Sequence, residues 1–209
     1  MQARDIMTKS VVTVRPDTSV KEAATILCQH AITAAPVLNR LDHLVGIVSE
    51  ADLLRRQLPH DPRTHLRPET DEEPPHTVAD VMTRSVVCLP PFTDAADVAA
   101  TMLETNVRSI PLVEESHIVG IVSRRDLLGT LVRDDAAIRS EIAERLHHCF
   151  TPRRTWQVDV HKGMVRITAE DFGETDQRIA LALSRTVPGV IRVSTVQQDR
   201  SMTLTGPTD

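Results

Sequence analysis

Two seven-residue stretches hold the residues best suited to chemistry. Gly46-Ile47-Val48-Ser49-Glu50-Ala51-Asp52 and Gly120-Ile121-Val122-Ser123-Arg124-Arg125-Asp126 each place a hydroxyl three residues before a carboxylate, where an apolar run gives way to a helical pattern. A serine at such a corner caps the helix, and an acid in the first turn complements the helix dipole. The same corner offers free N–H groups and partial positive charge to a phosphate. The aspartate, one turn in, is placed to accept hydrogen bonds from both hydroxyls of a ribose. Capping and ligand binding coexist, because an N-cap serine can also face a ligand. The second corner carries Arg124 and Arg125 where the first has Glu50 and Ala51. Guanidinium groups suit phosphate oxygens, so the Ser123/Asp126 corner is expected to hold phosphate more tightly. The alternative is that these arginines only solvate a helix face.

The two corners belong to a longer duplication. Residues 5–18 (DIMTKSVVTVRPDT) match residues 80–93 (DVMTRSVVCLPPFT) at an offset of 75, and residues 44–54 match 118–128 at an offset of 74. The missing residue falls in the turn around Asn39 to His43. Each copy reads as strand, helix, strand, strand, helix. A short apolar run (Val11 to Val14; Val86 to Leu89) ends at proline. A helix follows, with Val20, Ala23, Ala24, Leu27 and Ala31 in one copy and Ala95, Val98, Ala99, Met102 and Leu103 in the other. Ser19 and Glu22 have capping-box spacing. Two strands then flank a turn, and the last helix starts at the serine.

Residues 58–77 are rich in proline and charge and read as a linker loop. Their histidines (His60, His65, His76) lack metal-ligand spacing. Beyond Val132 a third unit begins. Ile138, Ile142, Leu146 and Cys149 form a helical stripe. Trp156, Val158 and Val160 alternate with polar residues, as do Val165, Ile167 and Ala169 after the turn at His161-Lys162-Gly163. A helix with Ile179, Ala180, Leu183 and Val187 stops at Pro188-Gly189, and a strand runs from Val190 to about Val196. The unit is α-β-β-α-β.

The paired motifs resemble a tandem pair of CBS domains. The resemblance rests on Asp-(Ile/Val)-Met-Thr, the apolar-Pro-(Val/Leu) step and Gly-Ile-Val-Ser-x-x-Asp-Leu-Leu, each present twice, and covers residues 3 to about 132. Serine stands where the family more commonly has threonine. The resemblance implies two clefts between repeats packed with pseudo-twofold symmetry. One would combine Ser49 and Asp52 with Val86, Val87, Arg108, Ser109 and Pro111. The other would combine Ser123, Arg125 and Asp126 with Ser10, Val12, Thr33, Ala34 and Pro36. Apolar residues would sandwich an adenine, and the aspartate would hold the ribose. The implied ligand is an adenosyl compound such as AMP, ADP, ATP or S-adenosylmethionine, with no cofactor required. The implied assembly is a homodimer through the helices, where Ala23, Ala24, Ala99 and Ala100 permit close approach.

The C-terminal unit resembles a BON domain through Val160-x-x-Gly163-x-Val165-x-Ile167 and Val187-Pro188-Gly189-Val190-Ile191-x-Val193, with Ala169 where that family has glycine. This implies contact with a protein partner or, less directly, a membrane surface. The expected fold is therefore mixed α+β: a first CBS repeat over 1–57, the linker over 58–77, a second repeat over 78–133, the BON-like unit over 134–199 and a flexible tail over 200–209.

Composition narrows the function. A formal charge of -5 argues against nucleic-acid binding, which favours a basic stripe. No run approaches the roughly 18 apolar residues of a membrane span. The first residues lack the order of a secretory signal, and three cysteines form no disulfide framework, so a cytoplasmic location is expected. An enzyme is not expected. His147, His148 and Cys149 diverge around a helix, as do Cys28 and His30, and no phosphate loop is present. The rival to a ligand sensor is a dimerisation or interaction scaffold with empty clefts.

Overall fold

A computed structural model of the chain describes residues 1–55, 74–150, 156–169 and 173–197. Most of the expected linker, with His60 and His65, and the expected tail lie outside the described residues. Contacts divide the chain into two units, Met7–Arg124 and a second made of Met1–Ile6 with Arg125–Asp209.

The first unit contains helix α1 (Val20–Gln29), strands β1 (Ala34–Leu38) and β2 (Leu44–Ser49), helices α2 (Glu50–Leu54), α3 (Val78–Val81) and α4 (Ala95–Glu104), and strands β3 (Ser109–Glu114) and β4 (His117–Ser123). The duplication is visible in the packing. Val20, Ala23, Leu27, Ala35, Val37 and Val48 are buried in one repeat, and their counterparts Ala95, Val98, Met102, Ile110, Leu112 and Val122 are buried in the other. Each strand pair is an antiparallel hairpin with one bulge, after Val37 and after Leu112. Between the aligned residues Leu38 and Leu44 five residues turn the chain, against four between Val113 and Ile118, which places the length difference in the turn.

The expected leading strands are single bridges rather than strands. Val14 pairs in parallel with Val37, and Leu89 with Leu112. The Val14 N–H donates to Pro36 O and the Leu38 N–H to Val14 O, both at 3.0 Å. Proline directly after these short runs, or one residue later, limits their extension, because it brings no N–H to a ladder. The segments just before them cross between repeats. Thr8 exchanges two backbone bonds with Ile121 (2.9 and 3.0 Å), and Thr83 exchanges two with Ile47 (both 2.9 Å). Each repeat's hairpin is thus edged by the opening segment of the other.

Several expected stripe positions fall elsewhere, Ile179 among them at 37% exposed. Ala31 lies beyond α1 with a positive φ of 51°, and its counterpart Asn106 repeats this at 53°. The Ile32 N–H returns to Leu27 O at 3.0 Å, so a left-handed residue ends the helix. Leu103 on α4 is 71% exposed. In the second unit Cys149 is exposed, so that helix's stripe ends at Leu146.

The second unit opens with a 3-10 turn over Ala3–Asp5. It continues through α5 (Arg124–Leu131, whose first residue closes the first unit), α6 (Asp135–Cys149), β5 (Trp156–His161), β6 (Met164–Ala169), α7 (Glu174–Arg185) and β7 (Arg192–Gln197). From α6 onward this is the expected α-β-β-α-β order. The strands lie in the order β5-β6-β7, with β5 and β6 antiparallel and β6 and β7 parallel. Ile138, Ile142 and Leu146 recur at one-turn spacing and bury against Val158, Val160, Val165, Ile167, Ala180, Val187 and Val193. The hairpin turns at Lys162 and Gly163, both with positive φ (49° and 71°), which suits a two-residue loop. The Asp135 carboxylate accepts the Lys162 N–H at 2.6 Å and the Gly163 N–H at 2.9 Å, pinning the start of α6 to that turn. Within this unit Arg133, just after α5, donates from Nη1 to Pro188 O at 3.1 Å.

Candidate functional site

The Ser49 corner is built by a strand running directly into a helix. Ser49 is the N-cap of α2, and its backbone N–H and hydroxyl both donate to Asp52 Oδ2, at 3.0 and 2.6 Å. The Asp52 N–H in turn reaches Ser49 Oγ at 3.3 Å. Hydroxyl and carboxylate are therefore locked to each other in a capping box. Both residues are half-buried, and Leu53 beside them is buried in the core.

The strand register fixes the neighbours of each corner. Ala34 stands opposite Ser49, and the Glu50 N–H donates to Thr33 O at 3.0 Å. In the second repeat Ser109 stands opposite Ser123, and the Arg124 N–H donates to Arg108 O at 3.0 Å. Hence Thr33 and Ala34 lie beside the corner of their own repeat, as do Arg108 and Ser109, while Pro36 stands opposite Ile47 and Pro111 opposite Ile121. The family resemblance had grouped these segments with the opposite corner. Ala34, Pro36, Ser109 and Pro111 are buried, Val12, Val86 and Val87 are half-buried, and Ser10, Thr33 and Arg108 are exposed.

The two arginines of the second corner separate in role. Arg124 Nε donates to Val107 O at 3.1 Å and Nη2 to Met102 O at 2.9 Å, so this guanidinium ties off the end of α4. Arg125 is exposed. With Asp126, Gly129 and Thr130 of α5 it lines a cavity of about 570 Å3, whose other walls are Asp5, Ile6, Arg133, Glu141, Arg145 and Pro188. Such a volume lies within the range of small-molecule pockets. Arg133 and Arg145 bind the two oxygens of Glu141, at 2.5 and 2.6 Å. Burial pushes the Glu141 carboxyl up, but hydrogen bonds and charge from Arg133 and Arg145 outweigh it and hold the group below the ordinary glutamate value.

Sequence reasoning left the Asp-(Ile/Val)-Met-Thr motif without a physical role. The structure supplies one. Asp80 Oδ2 accepts the Thr77 N–H at 2.9 Å and the Thr77 hydroxyl at 2.8 Å, and Asp5 Oδ2 accepts the Gln2 N–H at 2.8 Å, so each aspartate caps a short turn. Backbone and side-chain bonds from Thr77 hold the Asp80 carboxyl below its usual range. The methionines cover the glycines of the other repeat. A Cβ on Gly46 would lie 2.6 Å from Met82 Sδ, and one on Gly120 would collide with Met7. The clue was in the sequence as two methionines and two glycines at matching offsets.

Among the described residues no group of His, Cys, Asp and Glu could hold a metal ion, and no helix is long and apolar enough to cross a membrane.

A paired αβ module with a hydroxyl and a carboxylate at each strand-to-helix corner defines the class. The CBS domain family matches residues 3–59 and 78–133, more than half of the chain, and the chain belongs to that family. It is 30% identical over 128 residues to inosine-5'-monophosphate dehydrogenase of Methanocaldococcus jannaschii, a match covering 61% of this chain and 23% of that enzyme. The chain thus matches under a quarter of that enzyme's length. The CBS domain pair of protein MJ0100, solved in complex with 5'-methylthioadenosine and S-adenosyl-L-methionine, superposes with a TM-score of 0.51 and 26% identity, covering 62% of this chain and 94% of that one. CBSX2 in complex with AMP gives 0.51 and 29%, covering 61% and 93%. CBS pairs are regulatory binders of nucleotides and other adenosyl compounds.

Proposed function

We propose that this chain is a non-catalytic, cytoplasmic regulatory protein that takes an adenosine-containing ligand at its Ser/Asp corners. AMP, ADP, ATP and S-adenosylmethionine are the candidates. The observation that carries this reading is the fixed Asp52 carboxylate. Its Oδ2 serves Ser49, and its orientation is set before any ligand arrives. Ribose recognition then falls to Oδ1. Pre-set donors and acceptors cost less to bind through than mobile ones. Ser49, Asp52, Ser123, Arg125 and Asp126 are the polar ligands in this reading. Val12, Val86, Val87, Ala34, Pro36 and Pro111 offer apolar walls, with Ser10, Thr33, Arg108 and Ser109 at the edges. The 5'-methylthioadenosine, S-adenosylmethionine and AMP bound by similar CBS pairs support the ligand class.

Thermal melting with each of the four compounds tests the proposal. At about 100 times the dissociation constant, a ligand adds roughly 2.7 kcal/mol of stability. Calorimetric titration of Asp52→Ala and Asp126→Ala then ranks the corners: ATP affinity falls further in Asp126→Ala, because Arg125 accompanies that corner. Equal losses contradict the ranking.

A second reading, an interaction scaffold, is favoured by one feature. Among the described residues nothing covers one face of the sheet in the second unit, where Asp159, His161, Met164, Arg166, Arg192 and Ser194 line a cavity of about 600 Å3. In this reading the BON-like unit docks a protein partner or membrane surface there. Absence of any thermal shift with all four compounds selects it. Homodimerisation belongs to both readings. Ala23 is fully buried inside its own repeat and faces no partner. Exposed Ala100 and Leu103 on α4 take its place in the proposed contact.

A further inference from the structure

Around the cavity beside Asp126 stand three guanidinium groups, Arg125, Arg133 and Arg145. Two of them share a single carboxylate, Glu141, at 2.5 and 2.6 Å, so the triad of Arg133, Arg145 and Glu141 carries one more positive than negative charge, while Asp5 and Asp126 bring two further carboxylates to the cavity wall. Both arginines also brace the turn that follows α7. Arg133 Nη1 donates to Pro188 O at 3.1 Å, and Arg145 Nη1 donates to Thr186 Oγ1 at 2.6 Å. Their side chains are 29% and 37% exposed, so they remain within reach of a solute in the cavity.

We propose that this cavity receives the phosphate end of the ligand, and that the phosphate oxygens replace Glu141 as acceptors for Arg133 and Arg145. The proposal rests on the reading of Asp126 as a ribose ligand and adds to it a phosphate subsite contributed by α6 and the residues before it. Exchange follows from charge. A phosphate placed against the intact triad meets the Glu141 carboxylate and is repelled, whereas planar guanidinium groups released from it bind phosphate oxygens in pairs. The exchange also alters the bonds to Thr186 and Pro188. Occupancy therefore reaches the turn leading into β7 through the same two side chains that bind the anion. Adenosine, lacking phosphate, leaves the triad closed.

Calorimetric titration of the full chain with ATP, adenosine and tripolyphosphate tests this, using wild type, Glu141→Gln and Arg145→Gln. Glu141→Gln, which removes the competing charge, is expected to bind ATP about tenfold more tightly, or about 1.4 kcal/mol. Arg145→Gln is expected to bind ATP about tenfold more weakly, and adenosine affinity stays constant in both. Tripolyphosphate competing with ATP also supports the subsite and shows that the anion alone suffices. Equal changes in ATP and adenosine affinity, or none, overturn the subsite while leaving the nucleotide reading intact. Binding of tripolyphosphate together with no binding of either ATP or adenosine sinks the nucleotide reading and keeps the anion site. Thermal melting establishes that each variant is folded, and should Arg145→Gln fail to fold, the Glu141→Gln arm decides alone.

Discussion

Gly163 sits against the backbone of Gly189 and the side chain of Ile191. A Cβ added there would lie 2.6 Å from Gly189 O, and its φ of 71° disfavours any side chain. Gly163→Ala therefore combines strain with a backbone clash and is expected to cost about 1–3 kcal/mol. Urea unfolding followed by the fluorescence of Trp156, the sole tryptophan, measures it. Ala31 has the opposite sign. It is an exposed alanine in a left-handed conformation, which costs an L-residue with a Cβ roughly 1–2 kcal/mol. Asn106 fills the same place in the second repeat, and asparagine tolerates it. Ala31→Asn is expected to stabilise the first unit by about 0.5–1 kcal/mol, read as a higher melting temperature. A lower one would show that Ala31 makes contacts that outweigh its strain. Gly163 was legible as part of a turn, whereas Ala31 was not: it continues a helical stripe by type and spacing, and only the chain reversal after Gln29 removes it.

Helix α6 illustrates how an element is held by both packing and charge. Ile142 is buried at the centre of the stripe, so Ile142→Ala removes apolar area and leaves a cavity, for an expected loss of about 2–5 kcal/mol. The charged side of the same helix predicts a pH dependence. Glu141 is held below its ordinary value, so its contribution is present in full above that value and is lost as pH falls through the lowered one. Urea midpoints monitored by Trp156 should drop on acidification below about pH 4, and Glu141→Gln should flatten that part of the profile. An unchanged slope in the variant would assign the acid sensitivity to other carboxylates, of which Asp135 is one. Its carboxyl is lowered by the Gly163 and Lys162 N–H groups. The helices and hairpins were legible because their apolar spacing is strong. The leading strands were not, because Val11 to Val14 looks like a strand by composition although only Val14 finds a partner. The first corner was legible as a cap, and the bonds between Ser49 and Asp52 bear that out.

For the chain as a whole, the duplication and the mixed αβ class followed from motif order, while the register did not. Nothing in a single repeat says which hairpin its opening segment will join. The same limit applies to Arg124 and Arg125, identical in type and adjacent in sequence, of which one ties off α4. Assembly is the property with the clearest global test. Leu103 is 71% exposed on α4, and a second copy covering it would remove that apolar surface from water. Sedimentation should give a dimer for the wild type and a shift toward monomer for Leu103→Glu. A monomeric wild type would place the contact, if any, elsewhere.

The methionine of each repeat fills the hollow left by a glycine in its twin, and the opening segment of each supplies an edge to the other's hairpin. Neither half is consequently a self-sufficient part. Expressed alone, residues 1–55 would present a bare hairpin border and a methionine with nowhere to sit, the ingredients of self-association. Supplied together as two separate pieces, the halves have every reason to find each other. Drift at Gly46 or Met82 is likewise constrained as a couple, so that a side chain gained on one strand calls for a smaller one across the seam.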